Sequence, residues 1–244
     1  LTHTHTHSTS DGIWMGSLGC NADCMRALAN ALNGCDIHAT PLLMLNLVDL
    51  RFRVEYVPLL QIDVSVSDIR DEGLHHLLGA LLCMKAELLV LKAGKSNLTC
   101  KSGDILAKFL DECKDLEELW IGGNKLGVKG LKPLCKALRN HPNISVLDVS
   151  ANSIGNSGGE ELGAVLTTSK SMTEIDCSWN DFSGEDGQYL LGGLALSSSI
   201  QMFRGCWNRF GKMAMPELKE ILARPQIWYE LDLRNCGFDD GESA

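Results

Sequence analysis

Three histidines near the start of the chain have a spacing that could hold a metal ion. His3, His5 and His7 alternate with threonines, so they would share one face of an extended strand. Zinc takes imidazole ligands, but no cluster of carboxylates, cysteines or further histidines lies beside them to complete a site. We therefore interpret residues 1–10 as a low-complexity flexible tail and expect no metal and no cofactor.

Catalytic motifs give equally little support for a reaction. The sequence has neither a G-x-x-x-x-G-K-[ST] phosphate loop nor an H-E-x-x-H zinc helix. Gly122-Gly123-Asn124-Lys125 resembles a glycine-rich loop only superficially, because the repeat described below accounts for its asparagine. His75, His76 and His141 have no nucleophile paired with them in sequence, and we expect them to be solvated. The sequence thus predicts that the protein is not an enzyme.

Composition narrows the class of partner. The chain has 244 residues, of which 45% are hydrophobic, and a formal net charge of -9. This acidic balance argues against nucleic acid, whose binders concentrate Lys and Arg on one face, and favours a basic or mixed protein partner. No apolar run is long enough to cross a bilayer. Ten scattered cysteines without a C-x-x-C pair are typical of reduced packing residues, so we expect a cytoplasmic, intracellular protein.

One asparagine recurs at a constant step of 28 residues. The frame L-x-x-L-x-L-x-x-N-x-L surrounds each copy, with the asparagine at its ninth position; the copies are Asn124, Asn152, Asn180 and Asn208. A further step of 28 predicts apolar residues that the chain has as Leu231, Leu233 and Phe238, with Cys236 at the asparagine position. Upstream, Ser96 and Ser67 take the asparagine position in two weaker copies that begin at Leu88 and Leu59.

The residues that follow each asparagine predict a helix. Apolar residues lie ten and fourteen positions after it, and a spacing of four places them on one helix face. These pairs are Leu134 and Leu138, Leu162 and Leu166, Leu190 and Leu194, and Leu218 and Leu222. Each unit is therefore expected to be a strand, a turn and a helix. We divide the chain into the tail (1–10), irregular N-terminal repeats (11–58) and regular repeats (59–244).

The irregular segment is harder to align with the frame. Leu45, Leu47, Leu50 and Phe52 favour a strand, but too few residues separate it from the next copy for a full helix. Ile13 begins another apolar series, and a helix is expected over about residues 22–33.

The spacing LxxLxLxxNxLGxxGxxxLxxxL resembles the leucine-rich repeat, in the 28-to-29-residue subclass of ribonuclease inhibitor. The resemblance implies an α/β solenoid, a right-handed horseshoe with a parallel β-sheet on the concave face and helices on the convex face. Neighbouring repeats would stack into one continuous core, because a single unit cannot bury its own apolar face. The asparagines would then be buried and hydrogen-bonded to backbone groups, which is a structural role.

Stacking would align equivalent frame positions into columns on the concave face. The fifth position gives the column Asp63, Lys92, Trp120, Asp148, Asp176, Arg204 and Asp232, and the eighth gives Val66, Lys95, Gly123, Ala151, Trp179, Trp207 and Asn235. Trp and Arg are enriched at binding hot spots. The residues predicted to touch a protein partner are therefore Trp120, Asp148, Asp176, Trp179, Arg204 and Trp207. The alternative is that each tryptophan only covers the sheet; Trp228, at a first frame position, is expected to be buried.

The resemblance implies a scaffold or adaptor as the function, and two alternatives stay open. Ran GTPase-activating protein has repeats of similar length and an acidic tail, and the present chain ends with Asp239, Asp240 and Glu242. The other alternative is a structural subunit of a larger complex, since the last repeat would leave an open sheet edge.

Overall fold

A computed structural model describes residues 12–14, 61–84, 87–224 and 228–238. Short strands alternate with helices along these ranges. The strands are β1 (Gly12–Trp14), β2 (Gln61–Asp63), β3 (Val90–Lys92), β4 (Glu118–Trp120), β5 (Val146–Asp148), β6 (Glu174–Asp176), β7 (Met202–Arg204) and β8 (Glu230–Asp232). The helices are α1 (Arg70–Met84), α2 (Cys100–Glu112), α3 (Gly127–Leu138), α4 (Gly158–Thr168), α5 (Gly184–Leu196) and α6 (Met215–Ala223), with a 3-10 turn at Lys212–Ala214.

The eight strands form one parallel sheet in chain order. The register aligns equivalent frame positions: Trp120 lies opposite Asp148, Asp148 opposite Asp176, and Asp176 opposite Arg204. This confirms the predicted α/β repeat solenoid and the fifth-position column. β1 pairs directly with β2. The tail at 1–10, the strand predicted from Leu45 to Phe52 and the helix predicted at 22–33 lie outside the described residues.

The core lies between the sheet and the helices. Every central strand residue from β2 to β7 is buried while its two neighbours are half-buried, as alternation along a strand requires. The predicted helix positions from Leu134 to Leu194 are buried as well. We call the opposite side of the sheet, formed by the third, fifth and seventh frame positions together with the eighth, the concave face.

The recurring asparagines join each repeat to the one before it. The side-chain amide of Asn180 donates to the carbonyl oxygens of Val149 and Cys177, both at 3.0 Å. Its Oδ1 accepts the backbone N–H of Asn152 at 2.9 Å and of Ile154 at 3.4 Å. Equivalent bonds are made by Asn124 and Asn208. The predicted structural role of the asparagines is thus confirmed.

A second column also fixes the repeats, and it corrects one expectation. His141 is buried, not solvated: its Nε2 lies 2.9 Å from the carbonyl oxygen of Cys113, and its Nδ1 accepts the N–H of Ile144 at 3.2 Å. Ser169 and Ser197, one and two steps of 28 later, accept the N–H three residues on in the same way. The buried turn needs an acceptor for that N–H, which explains why the imidazole is held inside.

The last repeat departs from the predicted helix phase. Leu222 is 65% exposed and Leu218 is only partly buried, whereas Ile221 is fully buried. The 3-10 turn and Pro216 delay the start of α6, and the inner face of this helix is rotated by about one residue. Trp228, expected to be buried, is only partly buried.

Candidate functional site

Trp179 and Trp207 form the main aromatic feature of the concave face. Their rings are stacked, with centroids 4.4 Å apart and an interplanar angle of 13°. They remain 54% and 48% exposed. The sequence placed these two residues side by side on adjacent repeats, and the structure brings them into direct contact.

The backbone that carries this pair is in the left-handed conformation. The φ angles are 59° at Trp179 and 56° at Trp207, and the other eighth-position residues share the positive sign. Such angles cost a non-glycine residue roughly 1 kcal/mol or more, because Cβ approaches the following carbonyl oxygen. Gly123 occupies the same frame position two repeats before Trp179, so the turn itself accepts a residue without a side chain. The indoles are thus carried at positions where the backbone would favour glycine.

The two outer ring faces of the stacked pair have different neighbours in the eighth-position column. In the eighth-position column Ala151 precedes Trp179 and Asn235 follows Trp207, and both are exposed. Since Ala151 has only a methyl group, the ring face of Trp179 that points away from Trp207 has no large neighbour in the column. The seventh-position residues below, Ser150 and Ser178, are also small.

Trp120 lies apart from this pair. It is on β4, two strands from β6, where its Nε1 donates to Glu118 at 2.8 Å and the Lys92 ammonium lies 5.4 Å from its ring centroid. The predicted set therefore divides into a stacked pair and a separate tryptophan beneath a lysine.

Asp148 and Asp176 lie side by side and each closes the turn after its strand. The N–H of Ser150 donates to Asp148 at 2.9 Å, and the N–H of Ser178 donates to Asp176 at 3.0 Å. Burial raises the pKa of Asp148 and the charge of Asp176 adds to this rise, while the bonds from Ser150 and the charge of Arg204 oppose it. In the described part of the chain neither carboxylate forms a salt bridge.

Arg204 is fixed by two glutamates that lie outside the predicted set of contact residues. It reaches Glu174 on β6 at 2.5 Å and Glu230 on β8 at 2.6 Å. The hydrogen bonds that Arg204 donates to Glu230, and then to Glu174, raise the pKa of Arg204. Both glutamates hold the third frame position of a strand next to that of Arg204, which holds the fifth. They are therefore its diagonal neighbours across the sheet, and this spacing is the sequence signal that could have identified them.

One serine requires separate treatment because of its flanking glycines. Residues 155–159 match the serine-hydrolase pattern G-x-S-x-G. Ser157 lies in the turn before α4, where it lines a shallow surface hollow whose walls also contain Asn156, Glu160, Ser183 and Tyr189. No histidine lines this hollow, so the geometry of a catalytic triad is not formed there.

Metal sites and membrane spans each need a specific arrangement of side chains or helices. Among the described residues no group of three or more His, Cys, Asp or Glu side chains is arranged to hold a metal ion. Within the same ranges no helix combines the length and the apolar character needed to cross a membrane.

Comparison with known proteins gives matches to the repeat. The model of the leucine-rich repeat family matches residues 112–135 and 140–163. The chain is similar to mouse NACHT, LRR and PYD domains-containing protein 4E, with 36% identity over 34% of the chain and 8% of the relative. Protein 4C of the same series, also from mouse, shows 35% identity over 33% of the chain and 8% of the relative. The chain therefore matches only a small part of the length of these relatives.

Solved structures with partial similarity include two further proteins. Leiomodin-1 actin-binding site 2 has a TM-score of 0.48 at 16% identity, over 56% of this chain and 79% of that chain. The tropomodulin C-terminal domain of Caenorhabditis elegans has a TM-score of 0.49 at 12% identity, over 70% of this chain and 92% of that chain.

The family matches agree with the asparagine spacing and the sheet register. Solenoids of this kind present extended surfaces to other proteins, which supports a role in protein interaction. With its strands, turns and helices in the order that the repeat requires, the described part of the chain is built from leucine-rich repeats.

Proposed function

We propose that this protein is a non-enzymatic scaffold or adaptor that holds a partner protein on its concave face. The observation that carries the proposal is the stacked pair Trp179 and Trp207, about half exposed on left-handed backbone. Indole side chains bury a large area on contact and dominate binding energies at interfaces.

The residue types found at the eighth frame position strengthen this argument. The left-handed angle belongs to the repeat turn, which carries glycine at Gly123 and alanine at Ala151. The turn therefore does not need an indole, and the two tryptophans differ from these residues by a large exposed side chain. We infer that the two tryptophans are kept for what they contact outside the chain.

The other predicted residues extend the contact around the pair. Asp148 and Asp176 supply two carboxylates on adjacent strands, and Arg204 is held rigid by its two glutamates. An immobilised side chain loses less conformational entropy on binding than a free one. Trp120, two strands away, would form the edge of the same interface.

The proposal places the scaffold in the cytoplasm. Six described cysteines are free, and five of them are buried, which suits a reducing compartment. Alkylation of the denatured protein, isolated without reductant, should modify all ten cysteines. Protected cysteines would instead indicate disulfides.

The test is affinity capture from the source cell with the wild-type protein and the double variant Trp179→Gly, Trp207→Gly. Tyr189→Ala is the matched control, because Tyr189 is 51% exposed but lies on a helix. We expect the double variant to lose the partner and Tyr189→Ala to retain it. Equal capture by all three proteins would contradict the proposal. Phosphate release from small GTPases mixed with the wild-type protein tests the GTPase-activator alternative with the same preparation.

A further inference from the structure

The carboxylates of the concave face are not all neutralised to the same extent. Glu174 pairs with Arg204, and Glu118 accepts a hydrogen bond from Trp120. Asp148 and Asp176 accept only hydrogen bonds, and no described cation forms a salt bridge with either. Arg204 lies opposite Asp176 in the register but is held by Glu174 and Glu230, and its charge opposes the rise in the pKa of Asp148 without cancelling it.

The position of Asp148 and Asp176 makes this arrangement costly. Asp148 lies opposite Asp176 in the register, and neighbouring strands are about 4.8 Å apart. Like charges directly opposite each other are destabilising, and burial of Asp148 increases the cost of its charge. A cation placed between the two carboxylates would remove this repulsion.

The aromatic surface beside the two carboxylates also attracts cations. Trp179 follows Asp176 by three residues in the same turn, and the residues of the preceding repeat at the seventh and eighth frame positions, Ser150 and Ala151, have small side chains. Indole is the aromatic side chain that attracts cations best, through the negative potential of its ring face. The other face of this ring is covered by Trp207.

We propose that Asp148, Asp176 and the free ring face of Trp179 form a subsite for a lysine or arginine side chain of a basic partner segment. This inference rests on the proposed function and names the chemistry of the partner. Arginine fits best, because its planar guanidinium stacks on an aromatic ring while it donates to two carboxylates. Glu118 on the neighbouring strand β4 adds a carboxylate that favours a further basic residue in the same segment, whereas Glu174 and Glu230 are already paired with Arg204.

The probe is a synthetic peptide of four Gly-Arg repeats, with four Gly-Glu repeats for comparison, titrated at low salt and followed by tryptophan fluorescence and calorimetry. We expect the arginine peptide to bind and the glutamate peptide not to bind. The double variant Asp148→Asn, Asp176→Asn should weaken binding at least tenfold, since the amides keep the acceptors of the two turns but lose the charge. Trp179→Gly should weaken it to a similar extent.

The control is Glu160→Gln, Glu185→Gln, two exposed residues of α4 and α5 whose replacement changes the net charge by the same amount. It should alter binding less than twofold. Equal weakening by both double variants, or no binding of the arginine peptide to the wild-type protein, would overturn the subsite. Thermal unfolding of each variant establishes that it is folded.

The two proposals fail in different ways. If the tryptophan variant captures the cellular partner as well as the wild type, the proposed function fails. If that variant loses the partner while Asp148→Asn, Asp176→Asn keeps both partner and peptide, the interaction role stands and the cation subsite is wrong.

Discussion

Trp179 stacks on Trp207 with a centroid distance of 4.4 Å while both residues hold positive φ angles. The contact therefore combines a favourable ring interaction with two unfavourable backbone conformations. Stacking contributes about 0.5–1.5 kcal/mol, and each left-handed residue costs about 1 kcal/mol. On these two effects alone, the stacking offsets only part of the roughly 2 kcal/mol backbone cost, and this balance can be tested.

Replacement of Trp179 by glycine and by alanine should give different stabilities. Both variants lose the stacking, but only glycine relieves the backbone. We expect Trp179→Gly to be about 1 kcal/mol more stable than Trp179→Ala and within about 1 kcal/mol of the wild type. Urea denaturation followed by circular dichroism measures both. A glycine variant less stable than the alanine variant would refute the explanation.

The asparagine bonds predict a large loss of stability on truncation. Asn180→Ala leaves the buried N–H groups of Asn152 and Ile154 without their acceptor, and each unsatisfied buried group costs about 1–3 kcal/mol. The carbonyl oxygens of Val149 and Cys177 lose one donor but keep the side-chain amides of Asn152 and Asn208. We expect a loss of about 3 kcal/mol or more in the free energy of unfolding. The control Asn156→Ala changes an exposed residue and should cost less than about 0.5 kcal/mol.

Two glycines in helices should respond in opposite directions to alanine. A Cβ on Gly163 would lie 2.3 Å from the carbonyl oxygen of Tyr189, so α4 and α5 would have to separate. A Cβ on Gly79 would meet nothing within 4 Å. Gly163→Ala should destabilise by about 1–3 kcal/mol, and Gly79→Ala should stabilise by up to about 1 kcal/mol. Similar effects at both sites would show that helix packing is not close at Gly163.

Stability should depend on pH through His141. Burial lowers the pKa of this imidazole below the ordinary histidine value of about 6.5, while its bond to Cys113 opposes the shift. The unfolded chain then binds more protons than the folded one. The contribution of His141 to the free energy of unfolding is therefore complete above about pH 6.5, and it decreases as the pH falls from there towards the lower pKa of the folded state. Denaturation midpoints from pH 8 to pH 5 check this. His141→Gln should flatten the profile over that window, and an unchanged profile would exclude the assignment.

The phase of the last helix predicts unequal effects at adjacent residues. Ile221 is fully buried and Leu222 is 65% exposed. Ile221→Ala should cost about 2–4 kcal/mol, whereas Leu222→Ala should change stability by less than about 0.5 kcal/mol. The reverse order would restore the phase that the sequence spacing predicts.

The register of the sheet could be read from the sequence because the period is constant. A step of 28 residues places Asp148 beside Asp176, and alternation decides which side each faces. The adjacency of Trp179 and Trp207 follows from the same step. Their stacking does not, because it depends on ring torsions that spacing leaves free.

The features that the sequence did not predict depend on contacts between different frame positions or on a local turn. The bonds from Arg204 to Glu174 and Glu230 run diagonally across strands, so a list of fifth-position residues omits them. His141 was expected to be solvated because histidine is polar, but its equivalence to the capping serine Ser169 was visible in the step of 28 residues. The shifted phase of α6 depends on the turn before it, which has no counterpart in the earlier repeats.

The uniform joint between repeats also bears on how such a surface can evolve. The backbone N–H of Asn152 donates to Oδ1 of Asn180, 28 residues later in the chain, and the backbone N–H of Asn180 donates to Oδ1 of Asn208 across the same separation. A block of this length can be duplicated or deleted, and the chain will rebuild an equivalent joint at the seam. The order of tryptophan, aspartate and arginine along the concave face then follows from the order of the repeats that carry them. Reordering such blocks would change the side chains presented on the concave face while the asparagine bonds at each joint keep the same pattern.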